Sequence, residues 1–407
     1  MGADTNLSLA YQAFVFLCLL FIAALAGTQF SRTRLEAERV LPRFGSAGLP
    51  VNYRVTLTNL TDKPQRGLSV TEDLADPRPT LAQFVSTPEP GEEKRNWVDR
   101  RFYRWRWLLK QNLSGRISEA PCPALPPRGS AEVQLQLLPL RRGVVRLDAV
   151  AVACPDAFGL FRTFVFVPLP QSLLILPKRY FVPPLALPGQ LKYHQGGVAL
   201  AASVGESEEF VSLRDYRPGD ALRHIHWPSW AKTGRPIVKE FQDEFFTRHA
   251  LVLDTFLRVA GSEVFEEAVS VAASLACTVQ AQESLLDLMF VGPQTYCFTM
   301  GRGVGHLEQL LEILASVQPC RDREFQSLLQ LVTQHSGDLS GCLCVFVEWD
   351  EQRREFVRRL REMGVPLMVF LVTETGAPKS DPGPMAADPE RFRQLEVGKV
   401  GEELARL

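Results

Sequence analysis

The longest uncharged part of the chain lies near its N-terminus and reads LAYQAFVFLCLLFIAALAG, from Leu9 to Gly27. At ~1.5 Å per helical residue it covers about 28 Å, close to the thickness of the hydrocarbon core of a bilayer. The preceding residues, MGADTN, lack the positive charge with which a secretory signal peptide begins. The pattern therefore predicts a transmembrane helix over residues 8–27.

Basic residues follow this apolar stretch and predict its orientation. They are Arg32, Arg34, Arg39 and Arg43. The positive-inside rule places such residues in the cytoplasm. The sequence thus predicts a single-pass protein of the cytoplasmic membrane whose soluble domains face the cytoplasm. Residues 28–48 are interpreted as a polar, partly helical neck.

Apolar and polar residues then alternate with a period of two. The alternation is clearest over residues 51–60 and returns over 131–138 and 143–153, with Pro and Gly between the runs. Alternation of this kind is typical of strands that bury one face. Short strands separated by turn residues predict an immunoglobulin-like β-sandwich over residues 45–175.

One segment inside this region, RRFYRWRWLLK from Arg100 to Lys110, is unusually aromatic and basic. Tyr103, Trp105 and Trp107 alternate with arginines, which favours a sandwich strand with its rings turned inward. The alternative is an exposed patch that contacts lipid headgroups or single-stranded nucleic acid. Of these two partners the nearby membrane is favoured, with Trp105 and Trp107 as the contacting residues.

The pattern changes again after residue 175. Residues 176–204 are rich in Pro and Gly and are interpreted as a linker. Over residues 249–375 short apolar runs alternate with helical periodicity, which predicts an α/β domain with a mostly parallel sheet. Residues 376–407 are interpreted as a flexible tail. The predicted fold class is therefore a multidomain α+β protein that consists of a membrane helix, a sandwich and an α/β domain.

Charge and cysteine content exclude some classes of function. The formal net charge of −1 provides no basic field for nucleic acid. The eight cysteines include no C-x-x-C pair, so a zinc site is not expected. Scattered cysteines in apolar surroundings are typical of free thiols in a reducing compartment, which agrees with a cytoplasmic location.

Residues 205–248 mix aromatic and charged side chains more densely than a linker or a core does. The segment resembles the signature of the domain-of-unknown-function-58 family, G-x-G-x-E-F-x-x-L-R-x-Y-x-x-G-D-x-x-R-x-I-x-W. The matching positions are Phe210, Leu213, Arg214, Tyr216, Gly219, Asp220, Arg223, Ile225, Trp227 and Ala231. Ser207, Pro228 and Trp230 depart from the pattern.

The resemblance implies a membrane protein whose last domain is similar to a von Willebrand factor A domain. It also implies association with AAA+ ATPases of the MoxR type. We therefore expect the segment to bind a protein partner. The residues expected to take part are Arg214, Tyr216, Asp220, Arg223, Trp227 and Lys239.

A domain of this type normally holds Mg²⁺ through a D-x-S-x-S motif after its first strand. Here Asp254 supplies the carboxylate, but Phe256 and Arg258 replace the two serines. Because hard cations need oxygen ligands, no metal site is expected. Asp254 is expected instead to cap the following turn or to pair with Arg258.

No catalytic residue is predicted, because neither a nucleophile elbow nor a phosphate-binding loop is readable in the sequence. The favoured hypothesis is a scaffold or adaptor without enzymatic activity and without a cofactor. The alternative is a hydrolase or another enzyme with a polar cleft in the signature segment. Its residues would be Arg214, Asp220, Arg223 and His226.

Overall fold

The computed structural model describes residues 8–30, 33–89, 91–156, 158–185, 210–218, 222, 225–241, 248–257, 262–281, 285–301 and 304–407. The chain forms two compact units, Met1–Lys178 and Arg179–Leu407. Helices and several β-sheets occur together, so the protein is a mixed α/β protein with a helix near its N-terminus.

The first unit contains helices and strands, and its strands are two to fifteen residues long. In chain order they are α1 (Ser8–Phe30), β1 (Leu35–Val40), β2 (Phe44–Ser46), β3 (Val51–Asn59), β4 (Ser69–Leu74), α2 (Leu81–Ser86), α3 (Trp97–Asn112), β5 (Gly115–Ile117), β6 (Ala120–Pro121), β7 (Ser130–Pro139), β8 (Gly143–Pro155) and β9 (Arg162–Leu176).

Two sheets face each other in this unit. Among the described residues one sheet has the order β1-β3-β7-β5 and the other the order β2-β9-β8-β4-β6. Along β3 the side chains are alternately buried and accessible, as the period of two in the sequence predicts. Val55 and Val133 of one sheet share a core with Val70 and Ile175 of the other, so the unit is a two-layer sandwich.

Two local predictions for this unit are wrong. The neck predicted as partly helical contains strands β1 and β2, which belong to the sandwich. The segment predicted as an aromatic strand is helix α3. Asn96 caps α3 by accepting a hydrogen bond from the amide of Asp99. The segment thus has an N-cap and the periodicity of a helix, although its aromatic and basic residues also alternate as they would in a strand.

Arg39 has a structural role that the orientation argument did not foresee. Its Nε and Nη2 atoms donate to the two carboxylate oxygens of Glu72, at 2.9 and 2.5 Å. Both side chains are buried in the sandwich. Arg39 therefore supplies the counter-charge of a buried carboxylate within the sandwich.

The predicted membrane segment lies within helix α1, whose apolar side chains such as Phe14 and Phe16 are exposed. Within the described ranges, no helix combines the length and the apolar character that crossing a membrane requires. The transmembrane prediction for residues 8–27 is therefore not confirmed.

The second unit begins with a small sheet and continues with alternating strands and helices. In chain order its elements are β10 (Phe210–Asp215), α4 (Trp227–Thr233), β11 (Ile237–Phe241), β12 (Arg248–Leu253), α5 (Glu263–Ala281), β13 (Leu285–Val291), β14 (Thr295–Met300), α6 (Val304–Ser316), α7 (Gln326–His335), β15 (Gly341–Phe346), α8 (Glu351–Glu362), β16 (Leu367–Thr373), β17 (Phe392–Glu396) and α9 (Val400–Leu404).

The main sheet of this unit has the order β14-β13-β12-β15-β16-β17 among the described residues. All its pairs are parallel except that of β13 with β14. Strands β12, β13 and β15 are buried along their whole length, because helices cover both faces of such a sheet. The order reverses between β12 and β15, and this is the position at which open α/β sheets bind ligands.

The ends of this unit are more ordered than the sequence suggested. The predicted flexible tail contributes β17 to the sheet, and Leu395, Val400 and Leu404 are buried. In the predicted linker, the Tyr180 amide donates to Ser274 Oγ at 2.8 Å, and its hydroxyl donates to Glu267 at 2.6 Å. The remainder of that linker, residues 186–204, lies outside the described residues.

Candidate partner-binding site

The signature segment contains two antiparallel strands. Leu213 of β10 lies opposite Lys239 of β11, and Arg214 lies opposite Val238. On its other edge Val238 pairs with Ile225, so β11 lies between two backbone segments. Paired residues share a face, and Val238 and Ile225 are buried. Arg214 therefore lies on the inner face, whereas Leu213 and Lys239 share the outer face.

Helix α4 follows from local sequence chemistry. Pro228 occupies the first turn, where its missing amide hydrogen costs nothing. Ser229 Oγ lies 2.7 Å from Nδ1 of His226, the residue before the helix. The helix ends at Gly234, whose φ of 70° is favourable only for glycine and whose amide donates to Trp230.

Apolar side chains of this segment remain exposed to solvent. The indole rings of Trp227 and Trp230 stack at a centroid distance of 5.2 Å, at an angle of 18°. Trp227 is nevertheless 62% exposed, and Leu222 and Leu213 are 68% and 41% exposed. We refer to the three exposed residues Leu213, Leu222 and Trp227 together as the signature patch. Exposed apolar residues of this size cost hydration free energy that a partner surface would recover.

The structure separates the six predicted partner-binding residues. Trp227 lies in the signature patch, and Lys239 shares the outer face with Leu213. Arg214 faces inward, and its Nη1 donates to the backbone oxygen of Asp215 at 3.2 Å. The amide of Tyr216 donates to Pro236 at 2.9 Å and continues the strand pairing. Asp220 and Arg223 lie outside the described residues.

From the sequence, Leu213 stands out only as a motif position, and Leu222 does not stand out at all. These leucines could have been noticed as large apolar residues in a charged segment that shows neither helical nor strand periodicity. This signal becomes informative only when their burial is known, because a leucine is buried more often than not.

A second candidate site lies where the order of the main sheet reverses. Asp254 follows β12, and its amide donates to Val345 of β15 at 2.9 Å. Its carboxylate accepts hydrogen bonds from the amides of Phe256 and Val347, at 3.0 and 3.5 Å. The predicted capping of the following turn is thus confirmed. The side chain is completely buried at the carboxyl ends of two parallel strands.

Arg353 occupies the position that a ligand of Asp254 would take. It lies in the first turn of α8, and its Nε and Nη2 donate to the two Asp254 oxygens at 3.0 and 3.3 Å. Nη1 donates to Asp350 at 2.7 Å, and Nη2 also donates to the backbone oxygen of Phe256 at 3.0 Å. The guanidinium lies 4.4 Å from the centre of the Phe325 ring. It is therefore held from several sides.

The electrostatics of this pair show two opposing influences. Burial raises the pKa of the Asp254 carboxyl, while Arg353 and the two amides act in the opposite direction. Burial also disfavours the charged form of Arg353, but Asp254 and Asp350 outweigh it and raise the pKa of the guanidinium. The predicted partner, Arg258, lies outside the described residues.

Residues 212–337 match the family described as "Protein of unknown function DUF58". Over these residues the chain is similar to the DUF58 family. The match begins in β10 and extends through α7, so it includes the signature patch and Asp254. The resemblance on which the sequence analysis relied is therefore confirmed.

A curated relative of the chain is the "Uncharacterized protein YeaD" of Bacillus subtilis (strain 168). The two are 26% identical over 188 residues, which is 46% of each chain. The chain thus matches about half the length of this relative.

Two solved structures show weak similarity. The PapD-like domain 7 of human CEP192 has a TM-score of 0.20 at 13% identity, over 35% of this chain and 86% of that chain. An exo-β-N-acetylglucosaminidase of family GH20 from Vibrio harveyi has a TM-score of 0.17 at 8% identity, over 88% of this chain and 60% of that chain. Neither score indicates a shared fold.

The Mg²⁺ that the family resemblance implies does not fit the residues at this position. The Asp254 carboxylate is already bound by a guanidinium, and Phe256 offers no oxygen from its side chain. In the described part of the chain, no group of three or more His, Cys, Asp or Glu residues is arranged to hold a metal ion.

A cavity of about 470 Å³ lies beside β13 and β14. Its wall includes Phe290, Tyr296 and Phe298, whose rings stack at centroid distances of 5.0 and 5.9 Å along the series. None of the residues that the sequence analysis selected lines this cavity. Alternation along β14 was the available signal, but it does not distinguish a cavity wall from an ordinary strand face.

Proposed function

We propose that this DUF58 protein is a non-enzymatic scaffold, anchored to the cytoplasmic membrane, which binds a protein partner at its signature patch. The exposed indole of Trp227 carries the proposal. It projects from a short helix that is held by the Gly234 cap and by the pairing of Ile225 with β11. Tryptophan is enriched among the residues that dominate the binding free energy of protein interfaces.

The main sheet of the second unit supports a binding role that involves no reaction at the position where its strand order reverses. We propose that this unit is a von Willebrand factor A-like domain, consistent with the strand order and with Asp254 after the first parallel strand. We also propose an immunoglobulin-like class for the sandwich. Arg353 neutralises Asp254 internally, so the crevice does not offer its carboxylate to a ligand.

The proposed partner is an AAA+ ATPase of the MoxR type, and this identity rests on the family resemblance. The proposal that an enzyme cleft lies at the signature segment stays an alternative hypothesis. It requires Arg214, Asp220, Arg223 and His226 to converge, whereas Arg214 and His226 are placed on opposite edges of β11.

A crosslinked pull-down of the full-length protein from native membranes tests the partner. We expect an AAA+ ATPase, identified by mass spectrometry, to be recovered with the wild type and lost with Trp227→Ala. Removal of an exposed aromatic anchor commonly costs about 2 kcal/mol or more of binding free energy, which is roughly a thirtyfold loss of affinity.

The matched control is Phe181→Ala, which removes an exposed ring elsewhere in the same unit. Circular dichroism confirms that both variants are folded. Equal recovery of the ATPase with Trp227→Ala and the wild type would refute the role of the signature patch. Recovery of no ATPase with the folded wild type would refute the proposed partner.

A further inference from the structure

Helix α3 exposes an apolar stripe that has no counterpart within its own unit among the described residues. Val98, Phe102, Trp105 and Leu109 follow each other at intervals of four, three and four residues and therefore lie on one side of the helix. The first three are 55%, 53% and 41% exposed. The stripe extends along most of a helix that is about 24 Å long.

The opposite side of α3 is the one that contacts the protein. Leu108 is completely buried there. Arg104 Nε donates to Glu92 at 2.8 Å, and Nη1 donates to the backbone oxygen of Phe84 at 3.1 Å. Arg100 donates to the backbone oxygens of Glu92, Glu93 and Arg95. These contacts hold the helix in the orientation that presents the stripe outward.

Basic residues flank the stripe on both sides. Arg101 and Arg106 are exposed, and their guanidinium groups lie 5.4 Å from the ring centre of Trp97 and 5.7 Å from that of Phe102. The helix contains five basic residues and one acidic residue, Asp99. Its exposed surface thus combines aromatic rings with positive charge.

We propose that α3 is an interfacial helix that binds an anionic lipid surface. Helices of this class place Trp, Phe and Leu at the boundary between headgroups and acyl chains, while Arg and Lys contact the headgroups. The stripe has the aromatic residues and the flanking arginines of that class. The binding does not depend on α1, because every residue involved lies between positions 97 and 110.

A helical protein partner is the less favoured occupant. The seam of a coiled coil is built from branched aliphatic residues that fit into holes, whereas Phe102 and Trp105 form the centre of this stripe. Two copies of α3 would also bring basic flanks together, which is repulsive. An anionic bilayer satisfies both the apolar stripe and its basic flanks.

Tryptophan quenching by lipids with brominated acyl chains tests the proposal in the full-length chain. The six tryptophans include three in α3 and none before Trp97, so insertion of α1 would produce no signal. We expect quenching with vesicles that contain phosphatidylglycerol and little with pure phosphatidylcholine. The double variant Arg101→Glu/Arg106→Glu should bind at least about tenfold more weakly.

Two further variants complete the experiment. Arg54→Glu/Arg162→Glu makes the same change of charge at exposed positions of the sandwich and should bind as the wild type does. Val98→Gln/Phe102→Gln keeps every tryptophan and should lose the quenching. Quenching that is absent, or equally sensitive to both charge variants, would overturn the proposal. Self-association of the wild type in sedimentation experiments that this Gln variant abolishes would assign the stripe to a second copy instead.

Discussion

At the scale of single residues, the ion pair of Asp254 with Arg353 is the most informative feature. The carboxylate accepts hydrogen bonds from two guanidinium nitrogens and two amides, which oppose the effect of burial on its pKa. A buried ion pair of this kind contributes little net stability compared with apolar residues, but the loss of one partner leaves the other uncompensated. Substitution of either residue is therefore expected to change the stability of the second unit.

We predict that Arg353→Met lowers the free energy of unfolding by about 3–5 kcal/mol at neutral pH, because Asp254 stays buried without its counter-ion. Burial already raises the pKa of Asp254 in the folded protein, and loss of Arg353 raises it further. The folded state then binds the proton more tightly than the unfolded state does, so stability increases as pH falls through the folded pKa.

The loss of unfolding free energy in Arg353→Met should consequently become smaller as the pH is lowered from 7 toward about 3.9, the pKa of an aspartate in the unfolded chain. Urea unfolding at several pH values measures this. Arg358→Met provides the control, since Arg358 is an exposed residue of the same helix, and it should change stability little at any pH. A deficit of Arg353→Met that does not vary with pH would indicate lost packing rather than an uncompensated charge.

At the scale of elements, composition misled the sequence analysis in two places. The residues predicted as a flexible tail form the edge strand β17, which pairs with β16, and helix α9, in which Val400 and Leu404 are buried. The aromatic residues near Trp105 belong to a helix. Over so short a run, residues that alternate with arginines also recur at the three- and four-residue intervals of a helix, so the sequence fits both patterns.

We predict that Leu404→Ala destabilises the second unit by about 2–5 kcal/mol, the usual cost of a cavity at a completely buried leucine. A mobile tail would show no such effect. Thermal unfolding followed by circular dichroism provides the measurement. Leu49→Ala, the same change at an exposed position, should leave the transition temperature almost unchanged. Equal behaviour of the two variants would contradict the packing of α9.

At the scale of the whole molecule, attachment to the membrane decides where a scaffold can act. Two independent elements bear on it, namely the uncharged helix α1 and the aromatic stripe of α3. They predict different kinds of attachment. An inserted helix resists extraction by alkaline carbonate, whereas an interfacial helix is released by salt or base.

We predict that the full-length protein sediments with membranes after carbonate extraction and that Leu19→Arg/Ile22→Arg moves it to the supernatant. Each arginine costs about 2.5–3.5 kcal/mol at the centre of a membrane helix. Leu19→Ala/Ile22→Ala controls for the loss of side-chain volume and should remain in the pellet. Release of the wild type by carbonate would contradict the anchor and leave α3 as the candidate for membrane contact.

Several features could be derived from the sequence alone because they depend on neighbours along the chain. The alternation of β3, the succession of strands and helices after residue 249 and the family signature all have short periods or fixed spacings. The cap of α4 at Gly234 is local for the same reason. The mixture of strands and helices and the resemblance to the family followed from such patterns.

Other features were decided only by the tertiary structure. Arg353 lies 99 positions after Asp254, and no spacing rule connects a helix terminus to a strand end so far away along the chain. The inward position of Arg214 and the exposure of Trp227 depend on which strands pair and on what covers them. Burial is a property of the folded chain as a whole, so the same leucine or arginine has a different role according to the elements that pack against it.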